Sequence, residues 1–364
     1  MHSSGLNSDM SIRVDISSET ERGNSPQELG FGSVFSDHLF IQKYDENIGW
    51  HDAQIKPFHD LTLHPAASVL HYGQEIFEGL KAYRRSDGGI NLFRPDQNIA
   101  RFNSSADLMA MPRVDEQLHL EAIKQLVLSD QQWVPSQSGA SLYVRPAMIA
   151  TTPQLSVTAA SSYMHFIIAS PVGPYFSKGF NPVSVYVSDV VRRAVKGGVG
   201  AAKTGGNYAA SLLMGKQAAN KGYSQVLWLD AIEGRYVEEV GAMNICFVRK
   251  DGTITTPLLS SSILSGITRD SILQLAPTMG YSVKQERLDI ETVLNDIETG
   301  EITEVFGCGT AAVISPVGQL GYKGRNYVVN NYESGPVAQH VFNELTAIQY
   351  GEAEDRFSWV YAVS

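Results

Sequence analysis

The apolar positions of this chain change period several times, and each change marks an element. His38 to Tyr44 reads as a short strand. Ile76-Phe77-Glu78-Gly79-Leu80-Lys81-Ala82-Tyr83-Arg84 leads into a second strand, which turns at Ser86-Asp87-Gly88-Gly89 and returns through Ile90-Asn91-Leu92-Phe93. Asp-Gly and Gly-Gly pairs accept the positive φ that tight hairpins require. Pro95 opens a helix, because proline is tolerated in a first helical turn, and Ile99, Phe102, Ala106 and Met109 recur at helical spacing. Glu121 to Leu128 predicts another helix, whereas Ser141 to Ile149 and Tyr163 to Ala169 are apolar and strand-like. Pro171-Val172-Gly173-Pro174 breaks the pattern and predicts a boundary near 173–183.

The second half resumes with Pro182-Val183-Ser184-Val185-Tyr186-Val187, a β pattern. Tyr208 to Lys221 predicts a helix, Gln225 to Asp230 a strand turned at Glu233-Gly234-Arg235, and Val237 to Val248 further strands. Lys250-Asp251-Gly252-Thr253 is a hairpin signal. Gly266-Ile267-Thr268-Arg269-Asp270 precedes a helix through Leu273, Leu275 and Ala276. Ile302 to Phe306 is a strand that ends at Gly307-Cys308-Gly309-Thr310-Ala311-Ala312, and the last helix spans Gly335 to Tyr350. Strands paired by short turns, with separate helices, predict α+β domains and not one long parallel sheet. The chain is expected to divide into a partly disordered lead-in over 1–30, a small α/β domain over 31–173, a linker over 174–183 and a large α/β domain over 184–364.

Composition narrows the function. A chain of 364 residues, 43% hydrophobic and 18% charged, suits a globular protein of roughly two domains. A net charge of -10 gives no general attraction for nucleic acid or acidic membranes. No stretch approaches the run of about 20 apolar residues needed to span a membrane. Cys246 and Cys308 are the two cysteines and form no Cys-x-x-Cys pair, so no zinc or other metal site is expected and a reducing compartment is. The first 28 residues lack the apolar core of a signal peptide and carry too many acids for a transit peptide, which points to a cytoplasmic enzyme.

Lys203 lies in Gly197-Gly198-Val199-Gly200-Ala201-Ala202-Lys203-Thr204-Gly205-Gly206-Asn207-Tyr208. Glycines let backbone approach a ligand closely, and an amine held away from bulk water loses proton affinity and becomes a nucleophile toward carbonyls. A solvated lysine on a flexible loop is the plain alternative. Ala202 before Lys203-Thr204 breaks the phosphate-loop pattern, and the third glycine of a dinucleotide fingerprint is missing. Tyr208 could bond a phenolate-like ligand oxygen or simply pack at a helix start. Glu239, within Val237-Glu238-Glu239-Val240-Gly241-Ala242-Met243-Asn244, is either a solvated edge residue or the partner of a buried cation. Ser265-Gly266-Ile267-Thr268 at a helix start suits a phosphate. Gly307 to Ala312 is a second small-residue turn with free amides, and Arg101 could add positive charge.

Together these segments resemble the branched-chain-amino-acid aminotransferases among the fold-type IV pyridoxal-phosphate enzymes, whose fold is D-amino-acid aminotransferase-like. The resemblance runs from His71-Tyr72 to Val317. It is carried by Phe77-Glu78-Gly79-Leu80-Lys81-Ala82-Tyr83, Leu92-Phe93-Arg94-Pro95, Tyr143-Val144-Arg145-Pro146, Gly197 to Tyr208, Glu239 to Asn244, Gly266-Ile267-Thr268-Arg269 and Gly309-Thr310-Ala311. It implies that Lys203 is the catalytic Schiff-base lysine, that Glu239 partners the pyridine nitrogen and that Tyr208 bonds the ring oxygen of pyridoxal 5'-phosphate. Arg101, Ile267, Thr268 and Thr310 would form the phosphate cup, with Arg193 a further arginine on the cofactor side. Thr310-Ala311-Ala312 would take the substrate α-carboxylate, and Phe77, Tyr175 and Tyr208 would wall the side-chain pocket. Tyr143 and Arg145 would admit glutamate's second carboxylate, and Tyr72, Leu155 and Val157 would be supplied by the other subunit of a homodimer.

Two departures stand out. Ala242 replaces a threonine common in relatives, and Ala312 and Ser315 replace the redox cysteines of mammalian members, so no thiol switch is expected there. The implied activity is amino transfer between L-leucine, L-isoleucine or L-valine and 2-oxoglutarate by a ping-pong mechanism. A D-amino-acid aminotransferase, an aminodeoxychorismate lyase and a cofactor-free binding protein of the same fold are the alternatives.

Overall fold

The structure, a computed structural model, describes residues 11–174 and 180–364. The strands of the first half are β1 (Arg13–Val14), β2 (His38–Asp45), β3 (Gly49–Pro57), β4 (Glu75–Phe77), β5 (Leu80–Arg84), β6 (Ile90–Phe93), β7 (Ser141–Ala150) and β8 (Ser162–Val172). Its helices are α1 (Ser68–Tyr72), α2 (Pro95–Leu108) and α3 (Glu116–Ser129). The second half has β9 (Val183–Val187), α4 (Gly205–Ala209), α5 (Leu212–Asn220), β10 (Gln225–Leu229), β11 (Val237–Val240), β12 (Asn244–Arg249), β13 (Ile254–Pro257) and α6 (Ile267–Thr278). It continues through β14 (Val283–Glu286), α7 (Ile290–Thr299), β15 (Ile302–Gly309), β16 (Val313–Tyr322), β17 (Arg325–Val328), α8 (Pro336–Tyr350) and β18 (Val360–Ala362).

These strands build two nine-stranded sheets. The first has the order β1-β3-β2-β8-β7-β5-β6-β18, with β4 paired to β7. The second runs β11-β10-β9-β16-β15-β12-β13-β14, with β17 paired to β16. The first sheet buries Leu80, Leu92, Leu142 and Ile167 against Ile123 and Leu126 of α3, and the second buries Leu227, Phe247 and Leu320 against Val293 and Leu294 of α7. A third apolar cluster joins Tyr83 and Phe93 of the first sheet to Phe306 of the second and Val341 of α8.

Several elements differ from the expectations of the sequence. Strand β3 was missed because His51, Asp52 and Gln54 dilute its alternation, and Asp52 carries φ 56. Helix α3 begins five residues earlier than expected, at Glu116, because the Asp115 carboxylate accepts the Leu118 amide at 2.7 Å and caps it. The helix expected over Tyr208–Lys221 is two helices, and the Ser211 hydroxyl donates to the Tyr208 carbonyl at 2.6 Å across the break. From residue 11 onward the lead-in is tied down: β1 pairs with β3, Ser17 N–H meets His38 Nε2 at 3.0 Å, and the Gly23 amide meets the Asp37 carboxylate. The C-terminal strand β18 leaves the second half altogether and pairs with β6 of the first sheet.

Candidate active site

A cavity of about 260 Å³ opens between the two sheets. The first half lines it with Phe31, Phe77, Gly79, Arg101, Tyr143 and Arg145. The second half adds Lys203, Tyr208, Glu239, Ala242, Ile267, Thr268, Cys308, Thr310 and Ala311, among others.

The lysine loop is held on every side. Ser105 Oγ accepts the Lys203 amide at 2.9 Å, and the Lys203 carbonyl accepts the Phe77 amide at 3.0 Å. Asn207 Nδ2 donates to the carbonyls of Val199 and Ala202, both at 2.9 Å, and the Glu75 carboxylate accepts the Gly205 amide. With its backbone pinned, Lys203 Nζ donates to Tyr208 Oη at 2.8 Å and sits 4.8 Å from the Phe77 ring centre. The Phe77 and Tyr208 rings are 5.0 Å apart and tilted.

Glu239 of β11 lines the same cavity. The β10–β11 register shifts between Trp228 and Leu229, so Glu238 is the extra residue of a bulge. That bulge breaks the alternation of the strand and leaves both glutamates buried. Glu239 Oε2 lies 2.7 Å from Arg193 Nε, off the N–H axis and so an ion pair more than a hydrogen bond, and Oε1 accepts the Leu264 amide at 2.9 Å. Burial pushes its carboxyl up to about 7, against the opposing pull of Arg193 and the Leu264 amide. Arg193 is behind Glu239 and outside the main cavity, where it also donates to the Ser262 carbonyl at 2.5 Å.

A cluster of free amides lies at the start of α6. Gly266 is the N-cap and has no side chain to occupy the first amides, so Ile267 and Thr268 present N–H groups without an intrahelical partner. A Cβ on Gly266 would meet Asn244 Oδ1 at 1.8 Å, so only glycine brings the helix this close. Arg101 lies beside this helix start: its Nη1 donates to the Ser265 carbonyl at 2.9 Å, and Nε and Nη2 bond the Glu78 carboxylate at 2.6 and 2.9 Å. Burial alone would raise the Glu78 carboxyl, but the Arg101 guanidinium holds it below the ordinary range.

On the other wall, Arg145 lies 4.7 Å from the Phe77 ring centre and donates to Tyr143 Oη at 3.2 Å. Gly79 leaves room for that phenol, since a Cβ there would meet it at 1.9 Å. Thr310 and Ala311 line the cavity at the turn between β15 and β16, with Ala312 buried just beyond. Tyr72, Leu155 and Val157 are elsewhere: they are 42%, 66% and 82% exposed, and Tyr72 Oη donates to the Leu155 carbonyl. Tyr175 lies outside the described residues. Sequence alone assigned no role to Glu78, Asn98, Ser105 or Phe31. The available signal was Glu78 itself, a carboxylate set between the apolar Ile76-Phe77 and Gly79-Leu80 where β4 passes to β5.

The fold and the lysine–tyrosine–glutamate grouping define an α+β transferase, and the amino-transferase class IV family matches residues 75–320, so the chain belongs to that family. Its relatives narrow the class. The branched-chain-amino-acid transaminase 1 of Bacillus subtilis (strain 168) is 51% identical over 339 residues, 93% of this chain and 95% of its own. The branched-chain-amino-acid aminotransferase of Mycolicibacterium smegmatis is 46% identical over 364 residues, 99% of each chain. Among solved structures, the Escherichia coli branched-chain amino acid aminotransferase superposes with a TM-score of 0.75 at 29% identity, covering 89% of this chain and 99% of that one. The T.th. branched-chain amino acid aminotransferase complexed with N-(5'-phosphopyridoxyl)-L-glutamate gives a TM-score of 0.73 at 26% identity, covering 93% and 99%. Among the described residues no helix is long and apolar enough to cross a membrane.

Proposed function

We propose that this protein is a pyridoxal 5'-phosphate-dependent branched-chain-amino-acid transaminase, exchanging an amino group between L-leucine, L-isoleucine or L-valine and 2-oxoglutarate. The observation that carries the reading is the Lys203 amine, bonded to Tyr208 Oη at 2.8 Å in a cavity also lined by an uncapped helix start and a buried carboxylate. That donor set fits a ligand with a phosphate at one end, a protonated ring nitrogen at the other and a carbonyl between. A cation facing Glu239 would offset the desolvation that now raises its carboxyl.

When bound, the cofactor supplies an aldehyde for the amino group and a ring that withdraws electrons from the substrate Cα. The chain's residues do the rest. Arg101 and the amides of Ile267 and Thr268 hold the phosphate, joined by the Thr310 hydroxyl. Glu239, oriented by Arg193, keeps the ring nitrogen protonated. Tyr208 would bond the ring oxygen and steer Lys203 Nζ, which would move a proton from the substrate Cα to the cofactor in one half-reaction and from the cofactor to the new Cα in the next. The first product leaves before the second substrate enters, which makes the kinetics ping-pong.

Specificity follows from the opposite wall. Phe77 and Tyr208 bury branched aliphatic side chains, each CH₂ contributing roughly 0.8 kcal/mol. Arg145, steadied by Tyr143, pairs with glutamate's second carboxylate. The backbone of Thr310, Ala311 and Ala312 receives the α-carboxylate. The exposed Tyr72, Leu155 and Val157 complete the neighbouring cavity in a homodimer. The acidic, cysteine-poor composition supports work in the reducing cytoplasm.

Borohydride reduction of the cofactor-loaded protein, followed by peptide mapping, tests the assignment. A pyridoxyl adduct on Lys203 is expected, and Lys203→Ala should lose roughly 10²–10⁴-fold in turnover. An adduct on another lysine with Lys203 unmodified would overturn the mechanism. Turnover of D-alanine alone in a panel of amino acids would replace the substrate class.

A further inference from the structure

We propose that Lys81 is a positioning residue for the substrate α-carboxylate, anchoring the Ala311–Ala312 peptide from behind and setting a positive charge beneath it. The inference rests on the carboxylate role given above to that turn.

Lys81 lies on β5 opposite Tyr143 of β7. Its neighbours Leu80 and Ala82 face the core of the first sheet, so Lys81 projects the other way, across the cleft. It is 7% exposed, and its Nζ donates to the Ala311 carbonyl at 2.8 Å. A buried ammonium ordinarily pairs with a carboxylate, because an isolated charge is costly to desolvate. Among the described residues no carboxylate forms an ion pair with Lys81. Burial lowers its amine to about 8, and no neighbouring charge offsets that. The fold therefore retains a cation without a counter-ion one peptide away from the cavity, and a substrate carboxylate on that peptide is the counter-ion.

The turn needs such an anchor. Val313 has φ 60, and the Ile314 amide bonds the Ala312 carbonyl at 2.8 Å, closing a γ-turn on a β-branched residue that disfavours this region. Ala311 lines the cavity while Lys81 does not, so the ammonium acts through the peptide. A cation on a carbonyl polarises the amide and makes its N–H, that of Ala312, a stronger donor to an anion.

The test measures carboxylate binding by the cofactor-loaded enzyme. The probe is 4-methylvalerate, a branched aliphatic acid with no amino group to transfer, titrated calorimetrically into wild type, Lys81→Met and Lys81→Gln. Both variants are expected to bind it about tenfold or more weakly, the scale of losing one charge-assisted hydrogen bond. KM for amino acid and 2-oxo acid should rise together, with kcat changed less than about threefold and the bound cofactor's absorbance unchanged. A merely structural tie between the sheets would shift the melting temperature and leave that binding alone. Gln is too short to restore the contact, so it carries the comparison should Lys81→Met not fold. Wild-type affinity for 4-methylvalerate in either folded variant overturns the proposal, as does a lost kcat with carboxylate affinity intact. A wild-type enzyme that fails to turn over leucine strikes the function itself, and this proposal falls with it.

Discussion

Glu239 is the residue in which burial and function pull against each other. Its carboxyl is enclosed and pushed up to about 7, yet Arg193 lies 2.7 Å away and favours the charged form. Replacing it by glutamine removes the carboxylate charge at the cavity and leaves Arg193 buried without its partner. Glu239→Gln should keep cofactor attached to Lys203 and lower kcat by roughly 10²-fold, the scale of losing one preorganised electrostatic contact. Steady-state turnover alongside the absorbance spectrum decides this, and a wild-type kcat would remove Glu239 from the chemistry. Glu78 illustrates the reverse. Fully enclosed, it is not part of the cavity wall, but its two bonds to Arg101 fix the guanidinium beside the start of α6.

At the scale of elements, the site is made from ends and irregularities. The start of α6 offers amides, the β11 bulge turns a glutamate inward, and Tyr208 sits in the last turn of the short α4, just before its break from α5. Regular strand and helix interiors have their backbone groups already paired, so only ends and bulges have groups to give a ligand. Gly266→Ala tests the cup without touching a charged residue. The added Cβ must displace Asn244 or the helix, and Asn244 Nδ2 also donates to the Leu264 carbonyl at 3.0 Å beside Glu239. The expected result is at least about tenfold weaker retention of pyridoxal phosphate in equilibrium dialysis, a cost on the order of one charge-assisted hydrogen bond. Unchanged retention would show that the helix start does not carry the phosphate.

The whole molecule depends on the packing of its first half, and one buried pair of imidazoles makes that packing pH-sensitive. His119 and His165 are enclosed between α3 and the first sheet, with ring centres 4.7 Å apart, and neither His119 nitrogen has a hydrogen-bond partner among the described residues. Burial holds His119 down at about 3, with Glu78 opposing weakly, and holds His165 well below its ordinary value. Both are neutral when folded and become charged when unfolded, so their contribution is complete above about pH 6.5 and is lost as pH falls. Each forfeits about 1.4 kcal/mol per pH unit below that point, until its own folded value is reached. Thermal unfolding should show the midpoint dropping between pH 7.5 and 5.5, with a shallower drop in His119→Leu. A midpoint independent of pH over that range would contradict it.

Local chemistry made the strands, the principal turns and the candidate site residues legible in the sequence. Period-two stretches such as Val183–Val187, the Asp-Gly turns and the glycine-flanked Lys203 each have a cause within a few residues. The start of α3 depended on one capping carboxylate, and β3 on pairing with β2, so periodicity alone misjudged both. What only the tertiary structure decided was which distant groups share a buried space. Glu78 meets Arg101, Lys81 meets the turn at Ala311, and the last strand returns to the first sheet. A charge can remain in a protein interior only opposite a partner, and chain spacing does not reveal which partner the packed sheets will place there.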